Sequence, residues 1–426
     1  MATSSPSPPS LTDIEPPRTW LNRFAGALTH RNFRIVWFAA LGSTIGTWMQ
    51  NFAQSWLVFD LTHSNFYKSI DDALAQLPLL VFMLIGGVIA DRHDRRKLLT
   101  GSQYVQAFSA FVLAALIFTK HVTVWHIFAL SFVTGCGQAF GGPAYQSMIP
   151  SLVPRRDLPN AIALNSTQFN LSRVLGPVIG NLVLVAIGAA ACFALNGLSF
   201  FIVVIALTSL HLPPHTPSKT TRAIGEDLKG GVSYVVKNRL MLTLTLLVFV
   251  STFLVMPVMT LMPAFATKVL SNGSTAATRL AMLMACQGLG AIVGALFIGS
   301  LGRFRHMGLA LIGVQAFQGL LIAAFAMSRS FPLSLVLLFF GGMFFMAVFS
   351  ISFSIVQLTV PDELRGRVVS IYMVALRSGW PIGGLLAGAL ADRFTEPHVL
   401  AVNGLVLSVI AITLFASGRG KSLREI

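Results

Sequence analysis

Apolar segments of about 20 residues, separated by short polar loops, occupy most of the chain. A helix rises 1.5 Å per residue, so about 20 residues cross the 30 Å hydrocarbon core of a bilayer. Charged residues make up only 11% of the chain, against roughly 25% in soluble domains. The pattern predicts an all-α membrane protein with twelve transmembrane helices. The predicted helices lie at residues 33–59, 70–90, 98–119, 123–148, 161–186, 189–210, 240–267, 277–301, 308–327, 333–358, 368–391 and 398–416.

Polar stretches divide this pattern into regions. The N-terminal stretch is rich in Ser and Pro and has no apolar run, so it is predicted to be a disordered cytoplasmic tail and not a signal peptide. A longer polar linker follows the sixth helix, and its part Ala223–Asn238 can form an amphipathic helix on the inner membrane surface. We therefore expect a tail at 1–30, six helices at 31–210, a linker at 211–239, six helices at 240–416 and a second tail at 417–426.

Basic residues are distributed unevenly between the two sides of these helices. If the N-terminus is inside, 22 of the 30 Lys and Arg residues fall in cytoplasmic segments and six lie on the outer side. Cytoplasmic loops of membrane proteins carry such an excess. The bias accounts for the net charge of +15 without a nucleic-acid partner, and it predicts that both termini are cytoplasmic.

The two halves share a pattern in their fifth helices. In each, an Arg is followed by Pro after four residues and by Gly after seven: Arg173, Pro177 and Gly180, then Arg377, Pro381 and Gly384. The fourth helix of each half also ends in Val-Pro, at 153–154 and 360–361. Duplicated six-helix halves joined by a cytoplasmic linker are typical of secondary transporters.

A motif follows the second helix. Residues 87–96 read Gly-Val-Ile-Ala-Asp-Arg-His-Asp-Arg-Arg, which resembles the cytoplasmic signature Gly-x3-Asp-Arg-x2-Arg-Arg of the major facilitator superfamily. The similar stretch 391–394 lies at the predicted outer end of the eleventh helix, and we discount it on topology. The resemblance implies a contact between the signature Asp and the inner end of the eleventh helix that holds the cytoplasmic side shut. The implied gate residues are Gly87, Asp91, Arg92, Arg95, Arg96, Arg365 and Arg367.

Further stretches resemble the bacterial siderophore-exporter-like branch of that superfamily. They are residues 46–50 and 56–62 in the first helix, the loops at 157–161 and 361–367, and the Gly-Pro pair of the fifth helix. The branch implies a monomeric secondary transporter of the bacterial inner membrane that exports an amphipathic organic compound, siderophore or drug-like, by proton-coupled alternating access. Transport of lysophospholipids or other lipids remains an alternative. The residues expected at a close helix contact are Gly176, Pro177 and Gly180.

Polar side chains inside the spans are candidates for a substrate cavity. The resemblance places the first, fourth, seventh and tenth helices around a central cavity. Interhelical hydrogen bonding without substrate contact is the alternative for each amide. The candidates are Gln50, Gln54, Gln138, Asn165, Arg173, Gln357, Tyr372 and Arg377.

Two of these candidates are arginines near the predicted bilayer midplane. Arg173 and Arg377 lie roughly 20 and 14 Å into their helices at 1.5 Å per residue. A charge at that depth costs several kcal/mol unless it faces water or a partner. No carboxylate lies at comparable depth in the predicted helices. We expect at least one guanidinium to reach the cavity and to favour substrates with a carboxylate, catecholate or phosphate; the alternative is that each Arg braces its own bundle.

Acidic residues near the bilayer are candidates for proton coupling. By the predicted boundaries all 15 Asp and Glu residues lie in loops or near helix ends, with Asp60, Asp71 and Asp72 at the outer mouth. Two adjacent acids at a membrane edge can hold a proton, because their charges repel each other and are partly buried. The alternative is plain solvation at the interface, with Lys68 paired to Asp71 or Asp72.

Residues for enzyme chemistry are not evident. The three cysteines lie in separate predicted helices, and Pro213 and Pro214 interrupt a His211/His215 pair that would otherwise have metal-ligand spacing. The sequence has no phosphate-binding Gly loop that ends in Lys-Ser/Thr. We expect a transporter without cofactor or metal, whose partners are a small-molecule substrate, protons and membrane lipids. A polytopic lipid-modifying enzyme and a membrane receptor are the other classes considered.

Overall fold

The computed structural model describes residues 26–92, 94–210, 224–270, 275–302 and 304–417; for 83–92 and 224–229 it describes the backbone alone. The described residues form helices joined by short connections and contain no strand. The helices are α1 (Arg31–Thr62), α2 (Asn65–Arg92), α3 (Arg95–Phe118), α4 (Val124–Leu152), α5 (Leu158–Ala186), α6 (Ala189–Thr208), α7 (Ile224–Lys237), α8 (Arg239–Val255), α9 (Pro257–Ala264), α10 (Ala276–Leu301), α11 (Met307–Met327), α12 (Phe331–Thr359), α13 (Asp362–Phe394) and α14 (Glu396–Ala416).

Nine helical segments among the described residues are long and apolar enough to cross a membrane. They include α3, α5, α6 and all the long helices from α8 onward. The remaining long helices, α1, α2 and α4, have 32, 28 and 29 residues. The chain is therefore an all-helical, multi-pass membrane protein.

Most predicted helix boundaries agree with the structure within three residues, but two helices start earlier. α2 begins at Asn65 and not at residue 70, because its first turns carry charged side chains that make the stretch resemble a loop. α13 begins at Asp362 and not at residue 368. Acidic residues are favourable in the first turn of a helix, where the backbone N–H groups are free. Asp362 and Glu363 occupy that turn.

The predicted helix 240–267 is broken in the structure. α8 ends at Val255 and α9 begins at Pro257, which has no N–H to donate to the preceding turn. A π-helical turn, Phe265–Val269, follows α9. The three pieces still form one membrane-crossing segment, Arg239–Val269.

The last residues of the predicted N-terminal tail, 26–30, pack against the rest of the first half. Gly26–Thr29 form a 3-10 helix, and the Ala27 N–H donates to Asn160 Oδ1 at 2.8 Å. His30 Nε2 lies 2.9 Å from Asp157 Oδ2. These contacts hold the start of α1 on the α4–α5 loop. The predictions for residues 1–25, 211–223 and 418–426, including the His211/His215 pair, lie outside the described residues.

Helix packing is most extensive within each half of the chain. α1 packs on α5 and α6, and α4 packs on α2 and α3. In the second half, α12 packs on α10 and α11, α11 on α14, and α13 on α8. Two extensive contacts join the halves: α2 with α13, and α5 with α10. The amphipathic helix predicted in the linker is present as α7, which packs on the start of α13.

The contact between α1 and α5 depends on small residues. A Cβ on Gly176 would lie 2.3 Å from Trp48 Cβ, and one on Gly180 would lie 2.8 Å from Phe52 Cδ1. Pro177 is buried beside them. Only glycine allows the two backbones to approach this closely.

We call the face with the α1–α2, α3–α4, α5–α6 and α13–α14 connections the predicted outer face, and the opposite one the predicted inner face.

Candidate functional site

A polar cavity of about 90 Å³ lies inside the first half, between α1, α2, α3 and α4. A cavity of this size holds several waters but no drug-sized compound. Its polar walls include Gln50, Gln54, Gln76, Ser131 and Gln138. All its lining residues, including Ser109 and Leu113 of α3, belong to the first half, so the cavity is internal to this half and does not lie between the halves.

The predicted cavity amides have different positions in the structure. Gln50, Gln54 and Gln138 all line the internal cavity, and Gln50 Oε1 accepts a hydrogen bond from Asn196 Nδ2 of α6 at 2.7 Å. Asn165 Oδ1 accepts from the Tyr145 hydroxyl at 2.9 Å. These contacts brace helices, which is the role that the sequence left open as the alternative. Gln357 is exposed near the end of α12.

Tyr372 does not line a cavity, contrary to the sequence prediction. Its side chain is fully buried in the core of the second half, and its hydroxyl lies 2.6 Å from Ser352 Oγ on α12. Position within a span alone could not separate a core tyrosine from a cavity tyrosine, because both occur near the same depth.

The predicted boundaries implied that Asp71 is solvated at the outer mouth. In the structure Asp71 is buried. The early start of α2 places it in the second turn, about 9 Å from the helix start. Its carboxylate is 3% exposed and accepts hydrogen bonds from Ser131 Oγ at 2.5 Å and Gln54 Nε2 at 2.9 Å. The site therefore draws on α1, α2 and α4. Asp60, by contrast, is exposed at the end of α1.

Lys68 is enclosed between the two adjacent carboxylates. Its ammonium lies 2.5 Å from Asp72 Oδ1 and 3.9 Å from Asp71 Oδ2, and its side chain is 3% exposed. The other Asp72 oxygen, Oδ2, accepts from Thr260 Oγ1 of α9 at 3.0 Å. The Lys68 pairing that the sequence offered as an alternative is therefore present, but it is buried at the contact between the halves.

Among the described residues, Asp392 makes the largest set of hydrogen bonds between the halves. Its carboxylate accepts from Ser64 Oγ at 2.5 Å, from Asn65 N at 2.8 Å and Nδ2 at 3.0 Å, and from Phe66 N at 3.1 Å. Free backbone N–H groups at a helix start bind negative charge. A carboxylate from α13 thus caps α2 across the interface at the predicted outer face.

A second acid extends this contact, which we call the outer latch: Asp392, Glu396, Asn65, Ser64 and Lys268. Glu396 Oε1 accepts from Asn65 Nδ2 at 2.8 Å and from Lys268 Nζ at 2.7 Å. Sequence reasoning missed the latch. The resemblance of residues 391–394 to the cytoplasmic signature is the available sequence signal for an Asp that caps a helix.

Arg377 lies near the middle of α13 and is exposed. It precedes Gly384 by seven residues and Gly388 by eleven, so the three share one face of the helix. A Cβ on Gly388 would lie 2.0 Å from Ser69 Oγ of α2, in the first half, whereas one on Gly384 would lie 3.4 Å from Thr260 Oγ1 of α9, in the second half. At Gly388, nearer the predicted outer face, the face of α13 that carries Arg377 therefore meets the first half.

Arg173 is more enclosed than Arg377. Its guanidinium carbon lies 5.8 Å from the centre of the Trp48 ring, and its Nε is buried without a hydrogen-bond partner. Among the described residues neither Arg173 nor Arg377 forms an ion pair. The repeat thus places two cations without carboxylate partners at matching positions of the two halves.

The side chains of Gly87, Asp91 and Arg92 lie outside the described residues, although the backbone of α2 extends through them. Around them, Asp94 caps α3 by accepting from the Arg96 N–H at 2.9 Å. Basic side chains of the motif bind carbonyls at other helix ends, where the helix dipole is negative: Arg95 at Ser147 O, 2.8 Å, and Arg96 at Thr208 O, 2.9 Å.

The inner end of α13 contributes the remaining predicted gate residues. Arg365 pairs with Asp362 on the same helix. Arg367 lies against α7, where a Cβ on Gly231 would be 3.0 Å from Arg367 Cβ. The implied contact of Asp91 with this region remains a prediction.

Comparison with known proteins settles the family. A model of the transmembrane secretion effector family matches residues 23–422. The chain belongs to this family of major facilitator superfamily transporters. Enterobactin exporter EntS of Shigella boydii is 27% identical over 399 residues, which cover 93% of this chain and 94% of that protein. The EntS protein of Escherichia coli is 26% identical over the same length.

Solved structures share the fold of this transmembrane secretion effector. The nucleoside transporter NupG has a TM-score of 0.71 at 14% identity, covering 90% of this chain and 99% of its own. A bacterial homologue of the human lysosomal transporter Spinster has a TM-score of 0.68 at 14% identity, covering 92% and 98%. The predicted superfamily and branch are confirmed, and the chain is a transporter and not an enzyme.

Proposed function

We propose that this protein is a proton-coupled exporter of an anionic, amphipathic organic compound of the siderophore or drug-like class. It crosses the bacterial inner membrane twelve times, with α1, α2 and α4 among the spans, as a monomer in contact with membrane lipids and with both termini in the cytoplasm. Six helices at 31–210 and six at 240–416 form the two moving bundles, joined by the linker 211–239. The relatedness to exporters named for enterobactin supports the direction and the compound class.

Alternating access is supported by where the halves meet. The hydrogen bonds described above between the halves, at Asp392, Glu396 and Asp72, lie toward the predicted outer face. Transport requires contacts that form in one global state and break in the other. We infer that the structure represents the state closed at the outer face.

The substrate class follows from one observation, the exposed Arg377 on the face of α13 that turns to the first half. A guanidinium near the midplane without a carboxylate partner binds anionic groups through a planar, bidentate fork. Carboxylate, catecholate and phosphate groups fit this chemistry.

Arg377→Ala should therefore weaken anionic substrates far more than neutral ones. We expect the apparent affinity for an anionic compound to fall about tenfold or more, the loss expected for a charge-assisted hydrogen bond of 1.5–3 kcal/mol. Arg377→Lys should restore it in part, because an ammonium keeps the charge but loses the fork. The measurement is competition by catecholates and by neutral drugs for uptake of the anionic compound into inverted vesicles, whose outer side is the cytoplasmic one. Equal losses for both classes would contradict the proposed substrate class.

Asp91→Asn should reduce transport strongly while insertion and folding stay nearly intact. The implied gate needs the charge of Asp91 in one state of the cycle, and losing a state-specific contact shifts the equilibrium between states. Export rates are compared at equal protein level in vesicles, with Asp94→Asn as the neighbouring control. Normal turnover in Asp91→Asn would remove the inner gate from the mechanism.

A further inference from the structure

The first two turns of α2 bury more negative than positive charge. Lys68 and Asp71 are each 3% exposed, and the Asp72 side chain is 19% exposed. One ammonium and two carboxylates sum to a charge of −1 when both acids are ionised. Holding an uncompensated charge out of water costs several kcal/mol. Binding of one proton by Asp71 or Asp72 would therefore neutralise the buried group.

Neutral groups complete the surroundings of Asp71. α1 and α4 present Gln54 and Ser131, which both donate to its carboxylate. Two charged groups face Asp71 directly, Lys68 and Asp72. The other charged and titratable groups of the described residues at this end of α2 are the exposed Asp60, His63, His126 and Arg393, and the latch residues Asp392, Glu396 and Lys268.

Two residues that line the internal cavity also bind this carboxylate. Gln54 and Ser131 line the cavity on one side and hold Asp71 on the other, and the cavity continues past Gln76 and Gln138 toward the membrane centre. The corresponding space in the second half, between α8, α9, α10, α11 and α12, holds about 10 Å³ and is lined mainly by Val, Leu, Ile and Phe. Of these two spaces in the described part of the chain, the polar one lies in the half that contains Asp71.

We propose that Asp71 carries the proton of the transport cycle and that Lys68 transmits its charge to the Asp72–Thr260 contact between the halves. The proposal rests on the proposed proton-coupled export and names the site and the device that couple it.

The cycle follows from the charges. When the outer face is open, water on that side gives a proton to Asp71, an O–H bond forms and the three groups become neutral in sum. Lys68 then forms its ion pair with Asp72 alone. The other Asp72 oxygen accepts a hydrogen bond from Thr260, and the outer face closes. On the inner-facing side the O–H bond breaks and the proton passes to cavity water. Ionised Asp71 attracts Lys68 across the 3.9 Å gap, weakens the Asp72 pair and favours reopening.

The test needs no substrate, so its outcome is separate from that of the export assay. Spin labels on Leu61→Cys and Phe394→Cys, exposed positions of the two halves at the predicted outer face, report opening in full-length protein with the native cysteines replaced by Ala. The distance distribution is recorded from pH 5 to 9. One linked proton changes the ratio of open to closed protein by up to about tenfold per pH unit, with the closed form favoured at low pH.

Asp71→Asn should remove this pH dependence and leave the closed form, whereas the matched control Asp60→Asn should behave as the wild type. If Asp71→Asn does not fold, Lys68→Met provides the second variant, and its transition should move to higher pH because a neighbouring positive charge is lost. A wild-type distance that ignores pH would overturn the proposal. So would a pH response that persists in Asp71→Asn or stays at the same midpoint in Lys68→Met.

Discussion

Asp392→Ala should open the predicted outer face of the resting transporter. The carboxylate accepts from Ser64, from both nitrogens of Asn65 and from the Phe66 N–H, and hydrogen bonds to charged groups contribute about 1.5–3 kcal/mol each. Loss of two of them, about 3 kcal/mol, changes the ratio of closed to open protein by about a hundredfold. The same α1 and α13 label positions, Leu61 and Phe394, measure the shift as a longer distance.

The control for this prediction is Arg393→Ala, which removes a neighbouring exposed charge of α13. Asp392→Asn should have an intermediate effect, because an amide oxygen can accept from one backbone N–H while the amide nitrogen faces other donors. If Asp392→Ala kept the wild-type distance distribution, the latch would be a packing contact without influence on the cycle.

Gly290→Ala should destabilise the second half more than any other Gly→Ala change in α10. Its Cβ would lie 1.8 Å from Phe339 O, a backbone atom of α12 that no rotamer change can move. The two helices would have to separate along their contact, and overpacking of this kind costs 1–3 kcal/mol or more. We expect a melting temperature several degrees lower, measured by thermal unfolding in detergent.

Gly299 provides a matched control on the same helix. A Cβ there meets nothing within 4 Å, and Ala favours a helix over Gly by about 1 kcal/mol. Gly299→Ala should leave the melting temperature unchanged or raise it. Gly342→Ala tests the contact from the other side, since its Cβ would lie 2.0 Å from Gln287 O. Equal melting temperatures for Gly290→Ala and Gly299→Ala would contradict the assignment.

The helices themselves could be read from the sequence because membrane insertion depends on local hydropathy. The predicted segments correspond to the observed helices, and the linker helix α7 was anticipated from its amphipathic pattern. The errors fall where polar chemistry sits inside a helix. Lys68, Asp71 and Asp72 moved the predicted start of α2 by five residues, and Pro257 divided a segment that hydropathy shows as continuous.

Sequence reasoning about the candidate site named polar and charged residues within the spans, but it could not say which neighbours they meet. The repeat pattern singled out Arg173 and Arg377, and the structure finds no ion-pair partner for either among the described residues. The same reasoning put Tyr372 in a cavity, whereas in the structure Tyr372 is buried in the core and contacts Ser352. Helix periodicity assigns residues to faces, but it does not say which neighbour each face meets.

The sequence by itself determined the fold class, the superfamily, the branch and the positions of the repeated arginines, because each is written in local hydropathy, in short motifs or in matched spacing. Only the tertiary structure decided that Asp392 caps α2 and that Asp71 is buried beside Lys68. Asp392 and Asn65 are 327 residues apart in the chain. A hydrogen bond across that separation depends on how two helices of different halves meet, and no local pattern of residues encodes that meeting.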